Sequence, residues 1–317
     1  MRRLFLFLLI ILTVALPVSG KEPIKWVDFQ VPYESLKLAM AVDIETFEQE
    51  KHIDWVDILA LAGCRTGGKC GLDAVKKAVQ DLKGNSSPEE LLGELSRYYD
   101  YYRNAYEAVL GGFLGSYAIK KNGVWHPTYG LKAFSPIAAG YNYAHSDDFG
   151  NKRSFGFARK HLGHDMMGSL GTPIMAVEGG VVEAMGWNRY GGWRIGIRSF
   201  DSKRYYYYAH LQKDHPFADG LEVGDLVNAG DLIGFMGRTG YSDRENTNNI
   251  ETVHLHFGMQ LIFDESQKEC LSEIWIDTYD IVRLLDAHRS SISQTKDGWD
   301  RAYPFVDLDI EEFNGRP

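Results

Sequence analysis

Apolar residues recur at helical spacing along the first third of the chain and at every second position along much of the middle. The two periods predict two kinds of structure. From about residue 33 to 118 the pattern is helical. Trp55, Ile58, Leu59 and Ala62 fall on one face, and Gly63 offers a stop. Ser87-Pro88-Glu89-Glu90 has the form of a capping box with proline at the first helical position. After it, Leu91, Leu92, Leu95, Tyr98, Tyr99, Tyr102, Tyr106 and Leu110 share one stripe. The stripe reads as core; a groove for a sugar or a partner is the alternative.

Near residue 120 the texture changes. From there to about 263, glycine recurs every few residues between short runs of Val, Ile, Tyr and Phe, as in Ala176–Val182, Trp193–Ile197 and Tyr205–Leu211. This is the rhythm of an antiparallel β domain. Val223 to Gly234 reads as a strand, a turn and a second strand. The expected fold class is therefore α+β. A helical N-terminal domain covers 21–120 and a mainly antiparallel β domain covers 121–263. A C-terminal extension over 264–317 holds one amphipathic helix near Tyr279–His288 and then an acidic tail.

Residues 1–20 are set apart as a secretory signal peptide. Arg2 and Arg3 precede an apolar run from Leu4 to Leu16, and Pro17-Val18-Ser19-Gly20 ends in small residues. The run is shorter than the roughly 20 residues a membrane-spanning helix needs. An uncleaved anchor is the alternative. Without the leader the chain has no stable membrane span, and it is expected to be secreted or associated with the cell wall. Loss of Arg2 and Arg3 leaves 32 Lys+Arg against 43 Asp+Glu, a net charge near −11 with no basic block. That balance argues against nucleic acid as a partner. Cys64-Arg-Thr-Gly-Gly-Lys-Cys70 could bend to close a disulfide, which an exported protein permits, or hold two reduced thiols; Cys270 is the odd one out.

The candidate chemistry lies in three short segments that hold five of the ten histidines: His161-Leu162-Gly163-His164-Asp165, Tyr208-Ala209-His210-Leu211 and His254-Leu255-His256. Two or three imidazoles with a carboxylate suit a hydrolytic zinc site that keeps a fourth position open. Strand alternation through Thr252–Gly258 turns Val253, Leu255 and Phe257 to the core, and His254 and His256 to the other face. The same alternation groups Tyr206, Tyr208 and His210 on one face, and Tyr205, Tyr207 and Leu211 on the other. Glycines around His161 and Asp165 favour a loop over a long helix there. His164 is ambiguous.

Taken in order, His161–Asp165, Gly171-Thr172-Pro173-Ile174, Gly179-Gly180-Val181-Val182, Tyr190-Gly191-Gly192, Tyr208–Leu211, the Gly-Asp turn, Gly237-Arg238-Thr239-Gly240 and His254–Phe257 resemble the M23 (LytM/lysostaphin-like) zinc endopeptidases. The resemblance spans roughly residues 155–260. It implies a mainly antiparallel β catalytic domain, one zinc ion per chain and hydrolysis of peptide cross-links in bacterial peptidoglycan. By position it makes His161, Asp165 and His256 the metal ligands, and His254 and His210 the catalytic histidines. His254 is the stronger candidate for general base, with His210 stabilising the oxyanion or protonating the leaving amine. His164 falls outside the implied site. Tyr190 and Tyr208 either line the cleft or pack in the core. One departure is the long segment Tyr241–Val253 before His254, which is expected to line the cleft. An inactive M23-like binding or scaffold module is the main rival, but such modules usually lack one or more ligands, and here every position is filled. The resemblance leaves the oligomeric state undetermined.

Overall fold

The computed structural model describes residues 23–308 except Asn85, Cys270, Leu271 and Asp297. The leader assigned to residues 1–20, Cys270 and residues 309–317 of the acidic tail lie outside the described residues. The fold is α+β. Helices α1 (Tyr33–Thr46), α2 (Trp55–Thr66), α3 (Leu72–Leu82), α4 (Pro88–Leu92) and α5 (Tyr99–Leu110) come first. Asp54 caps α2 by accepting from the Val56 amide at 2.6 Å, and the helix ends where Gly67 turns left-handed. The capping box at Ser87 and Glu90 is formed. The single stripe expected behind it is not. Gly93 takes φ +56° and a 3₁₀ turn, Gly93–Tyr98, separates α4 from α5. That turn rotates Leu95 and Tyr98 out to solvent, whereas Tyr99 and Tyr106 enter the core. The helical region also stops at Leu110, short of residue 118, because the chain goes straight into a strand at Leu114.

Strands β1 (Leu114–Lys121) and β2 (Val124–Leu131) form a hairpin. They are followed by β3 (Ala144–His145), β4 (Lys152–Arg153), β5 (Arg159–Lys160), β6 (His164–Met167), β7 (Pro173–Met175), β8 (Gly180–Asn188), β9 (Gly192–Ser199) and β10 (Arg204–Ala209). Then come β11 (Leu226–Val227), β12 (Leu232–Phe235), β13 (His254–Leu261), β14 (Ile274–Ile276), α6 (Tyr279–Leu285), β15 (Ile292–Thr295), β16 (Gly298–Arg301) and β17 (Phe305–Asp307). The main antiparallel sheet runs β11-β8-β9-β10-β13-β6-β3, and β14 pairs with the far half of β13. β11 and β12 flank the expected turn but do not pair with each other: β11 joins β8 and β12 joins β7.

The C-terminal stretch is woven into both layers. β17 pairs with β1, α6 packs against α1, and Lys132 forms a buried ion pair with Asp307 at 3.1 Å. One apolar core runs from Leu36, Ile58, Leu59 and Val109 in the helices to Tyr206, Tyr208, Leu255 and Phe257 on the sheet. Burial of this kind contributes about 25 cal/mol per Å² of apolar surface.

Where helices meet sheet, the core contains a charged cluster. Arg204, 1% exposed, donates Nε to Glu178 Oε2 at 2.7 Å and Nη2 to Glu178 Oε1 at 3.0 Å. Its remaining donors reach the Ala108 and Glu107 carbonyls, at the end of α5, and the Asp201 carboxylate. Tyr206 donates its hydroxyl to Glu178 Oε2 at 2.5 Å. A strand residue thus satisfies the Ala108 carbonyl at the helix end, whereas that of Glu107 also accepts from the Gly111 amide. Cys64 and Cys70 are buried and unbridged, so the reduced alternative is the one seen. Cys70 Sγ lies 3.6 Å from the Leu59 carbonyl and 3.5 Å from the Tyr106 hydroxyl. Burial pushes both thiols up to about 11. No helix among the described residues is long and apolar enough to cross a membrane.

Candidate active site

The centre of the main sheet brings the three histidine segments together. β6 and β13 are antiparallel neighbours, and Asp165 stands directly opposite His256. His161, just before β6, closes the group. Its Nε2 lies 3.0 Å from Asp165 Oδ1 and 2.8 Å from His256 Nδ1, which is itself 3.0 Å from Asp165 Oδ1. Gly163 makes room for this: a Cβ there would stand 2.6 Å from the His256 ring.

The donor set fits one small cation. Four-coordinate zinc, with bonds of about 2.0–2.1 Å, holds its donors about 3.3 Å apart. The three atoms need to spread by only a few tenths of an ångström. Two imidazoles and one carboxylate, with no fourth protein donor in the group, is the composition of a catalytic rather than a structural site.

The surroundings orient each group. His161 points Nδ1 at Asp148, 3.1 Å from both its carbonyl and its carboxylate, which leaves Nε2 as the electron-pair donor. Arg153 donates to Asp148 Oδ2 and to Asp165 Oδ2, both at 2.9 Å. Only Oδ1 of Asp165 therefore faces the two imidazoles. Burial raises the Asp165 carboxyl, but hydrogen bonds from His161 and His256 outweigh it and hold the group far below the usual carboxylate range. Burial lowers His161 as well, yet Asp148 and Asp165 bring it up to about 9. His256 is lowered by burial, against the pull of Asp165. Asp148 and Arg153 were not found from the sequence. Arg153 is on β4 and Asp148 lies in the loop before it; their spacing to His161 follows no metal-ligand rule, and the adjacent carboxylates Asp147-Asp148 are the only hint there.

His254 and His210 lie beside the group without joining it. His254 directs Nδ1 to the Thr252 carbonyl at 2.9 Å, and its Nε2 stands 3.8 Å from Asp165 Oδ1. His210 directs Nδ1 to the Thr239 carbonyl at 2.9 Å. A carbonyl only accepts, so both rings carry the proton on Nδ1 and keep Nε2 free. The two ring centroids are 4.7 Å apart. Burial lowers His210 well below its ordinary value, and the charges of His254 and His256 push the same way. Alternation put His210 on the face of Tyr206 and Tyr208, which is the buried one. The structure places it on the cleft side with Tyr205 and Tyr207, because β10 ends at Ala209 and His210 turns to φ +62°. Thr239 braces that turn: its hydroxyl donates to the Leu211 carbonyl at 2.6 Å.

The cleft over these groups has a volume of about 590 Å³. Tyr190 and Tyr241 line it, whereas Tyr208 is core, its hydroxyl accepting from the Val177 amide at 2.9 Å. Of the long segment 241–253, Tyr241 is the residue that reaches the cleft. Asn246 instead ties the loop down, accepting from Trp193 Nε1 at 2.9 Å and donating to Asp214 at 2.5 Å. His164 turns away from the cleft to His145, with 2.8 Å between His145 Nδ1 and His164 Nε2.

Residues 159–268 match the sequence profile of peptidase family M23. The chain carries an M23 peptidase domain. Relatives of the M23 domain include the L-Ala–D-Glu endopeptidase of Bacillus subtilis, 40% identical over 134 residues, which are 42% of this chain and 39% of that protein. Lysostaphin of Staphylococcus simulans is 38% identical over 98 residues, 31% of this chain and 17% of that one. The chain thus spans well under half the length of these relatives. Among solved structures, a putative glycyl-glycine endopeptidase lytM from Ruminococcus gnavus aligns over 86% of this chain and 94% of its own, with a TM-score of 0.53 and 23% identity. That likeness extends the shared fold beyond the M23 domain into the helical layer.

Proposed function

We propose that the chain is an exported zinc endopeptidase that hydrolyses peptide bonds in bacterial peptidoglycan. One observation carries this reading: three donor atoms converge for one cation, and two further imidazoles present free Nε2 atoms beside them. The match to peptidase family M23 and the relatives' names, among them an L-Ala–D-Glu endopeptidase, a glycyl-glycine endopeptidase and a peptidoglycan DD-endopeptidase, support this substrate class. Those names cover more than one bond type, L-Ala–D-Glu and glycyl-glycine. The proposed leader over residues 1–20 and a cell-wall substrate together support a location outside the cytoplasm.

His161, Asp165 and His256 would hold the ion. Zinc bound there would lower the pKa of a water molecule toward neutrality and polarise the scissile carbonyl. The remaining steps belong to this chain's own groups. His254, its ring fixed by the Thr252 carbonyl, accepts a proton from the attacking water at Nε2. The water oxygen adds to the carbonyl carbon, the C–N bond breaks, and the proton passes to the leaving amine. His210 is buried and neutral at rest. Its proton is held on Nδ1 by the Thr239 carbonyl, so Nε2 faces the same space as an acceptor, and it donates to the charge that builds on oxygen or nitrogen only after Nε2 has itself taken up a proton. Asp148 and Arg153 keep the ligands aimed and do not touch the substrate.

Digestion of purified peptidoglycan, followed by identification of the new amino and carboxyl termini, tests the reading. New peptide termini that depend on added zinc are expected. Zinc bound at one per chain with no peptide released would instead indicate an inactive binding module.

A further inference from the structure

The chain is acidic overall, but its cleft is not. The lining carries Arg153, Arg159, Lys160, Arg194 and Lys268 against Asp165 and Glu273. Several of these cations are engaged. Arg153 is held by Asp148 and Asp165, and Lys268 by Glu183 and Glu265. Arg159 donates to the Phe155 carbonyl and lies over the Tyr190 and Tyr241 rings. Lys160 is exposed to solvent.

Arg194 differs from all of them. It is half-buried in the wall on β9, and among the described residues no carboxylate, carbonyl or hydroxyl is paired with it. Alternation puts it on the same face of β9 as Gly196. That face is built low around it. A Cβ on Gly196 would stand 1.8 Å from the Tyr205 hydroxyl, and one on Gly191 would stand 2.2 Å from that of Tyr207. The two phenols therefore lie flat across the glycines and leave the guanidinium standing beside them. Burial raises both phenols, and the charge of Arg194 partly offsets the rise. The Tyr207 ring is in turn edge-on to His256, with centroids 5.9 Å apart. Arg194, Tyr207 and His256 thus line the same cleft.

We propose that Arg194 is the base of a carboxylate-binding subsite, so that the preferred substrate is a peptide with a free carboxylate close to the bond that is cut. This rests on the peptidase reading above. A recessed guanidinium offers a planar fork of N–H donors that matches a carboxylate bidentately. A run of glycines would leave that fork without a partner.

The test uses the zinc-loaded full chain and paired synthetic stem peptides, identical except that one carries a carboxylate and the other a carboxamide beside the scissile bond. The carboxylate peptide should be cleaved about tenfold or more better in kcat/KM. Arg194→Gln should reduce that lead to less than about threefold, mainly through KM, with zinc content and melting temperature unchanged. Arg194→Lys should restore it in part. Equal cleavage of the two peptides by the parent enzyme, or an undiminished lead in Arg194→Gln, would overturn the subsite. Calorimetric titration of the same peptides separates this outcome from failure of the peptidase reading. Carboxylate-selective binding without cleavage keeps the subsite and rejects the peptidase, whereas equal affinities reject the subsite.

Discussion

On the core side of β10, Arg204, Glu178 and Tyr206 form a charged cluster that closes on itself. On the cleft side, His161, Asp165 and His256 form one that does not. In the first, donors and acceptors are matched: the guanidinium meets two carboxylates and two carbonyls, and the phenol donates to an oxygen already paired with arginine. In the second, two imidazole nitrogens and a carboxylate oxygen lie within 2.8–3.0 Å of one another. Three electron-pair donors facing one another suit a shared cation. The difference teaches how one strand serves two ends. Polar groups matched to each other join layers, and polar groups aimed at a common point prepare a site.

Removing one member from each cluster should therefore have different consequences. His256→Ala should abolish zinc binding and all peptidoglycan cleavage, read by metal analysis and by release of termini, while the protein stays folded. A variant that still held one zinc per chain would break the assignment of the cleft cluster. His254→Ala should keep its zinc and lose about 10²–10⁴-fold in kcat; a fully active His254→Ala enzyme would move the base elsewhere. Arg204→Ala should lose about 3–5 kcal/mol of stability, because Glu178 is left charged and buried beside the open end of α5. Denaturant unfolding should show this, while zinc per folded molecule stays at one. If Arg204→Ala lost zinc before it lost stability, the two clusters would not be separate. Arg153→Met is the smallest and finest cut. It should weaken zinc binding about 10–100-fold in competition with a chromogenic chelator, since it frees the second oxygen of Asp165 without removing a ligand.

The parts legible in the sequence are those where a single periodicity runs unbroken. Through β13 it does, so alternation alone assigned Leu255 and Phe257 to the core and His254 and His256 to the cleft. It failed where the backbone leaves its regular conformation. One left-handed residue, His210, crossed from the buried face to the cleft, and Gly93 broke one aromatic stripe into two helices and a turn. The residues that hold the proposed ligands in place were not legible for another reason. Asp148, in the loop before β4, and Arg153, on β4, act through tertiary folding, and no local spacing encodes a contact made by bringing a loop and a hairpin over a sheet. The C-terminal stretch was opaque for the same reason: β17 is three residues long and gains its meaning only from pairing with β1.

The position of β13 has one more consequence. It is hydrogen-bonded to β10 on one edge, and to β6 and then β14 on the other. Its amides can open to solvent only when the sheet itself comes apart. In deuterium exchange, the strand that carries His254 and His256 should be among the last to take up label, after the 241–253 segment and the β4–β5 hairpin. The proposed metal ligand and base would then persist through breathing motions that open the walls to admit or release a peptide.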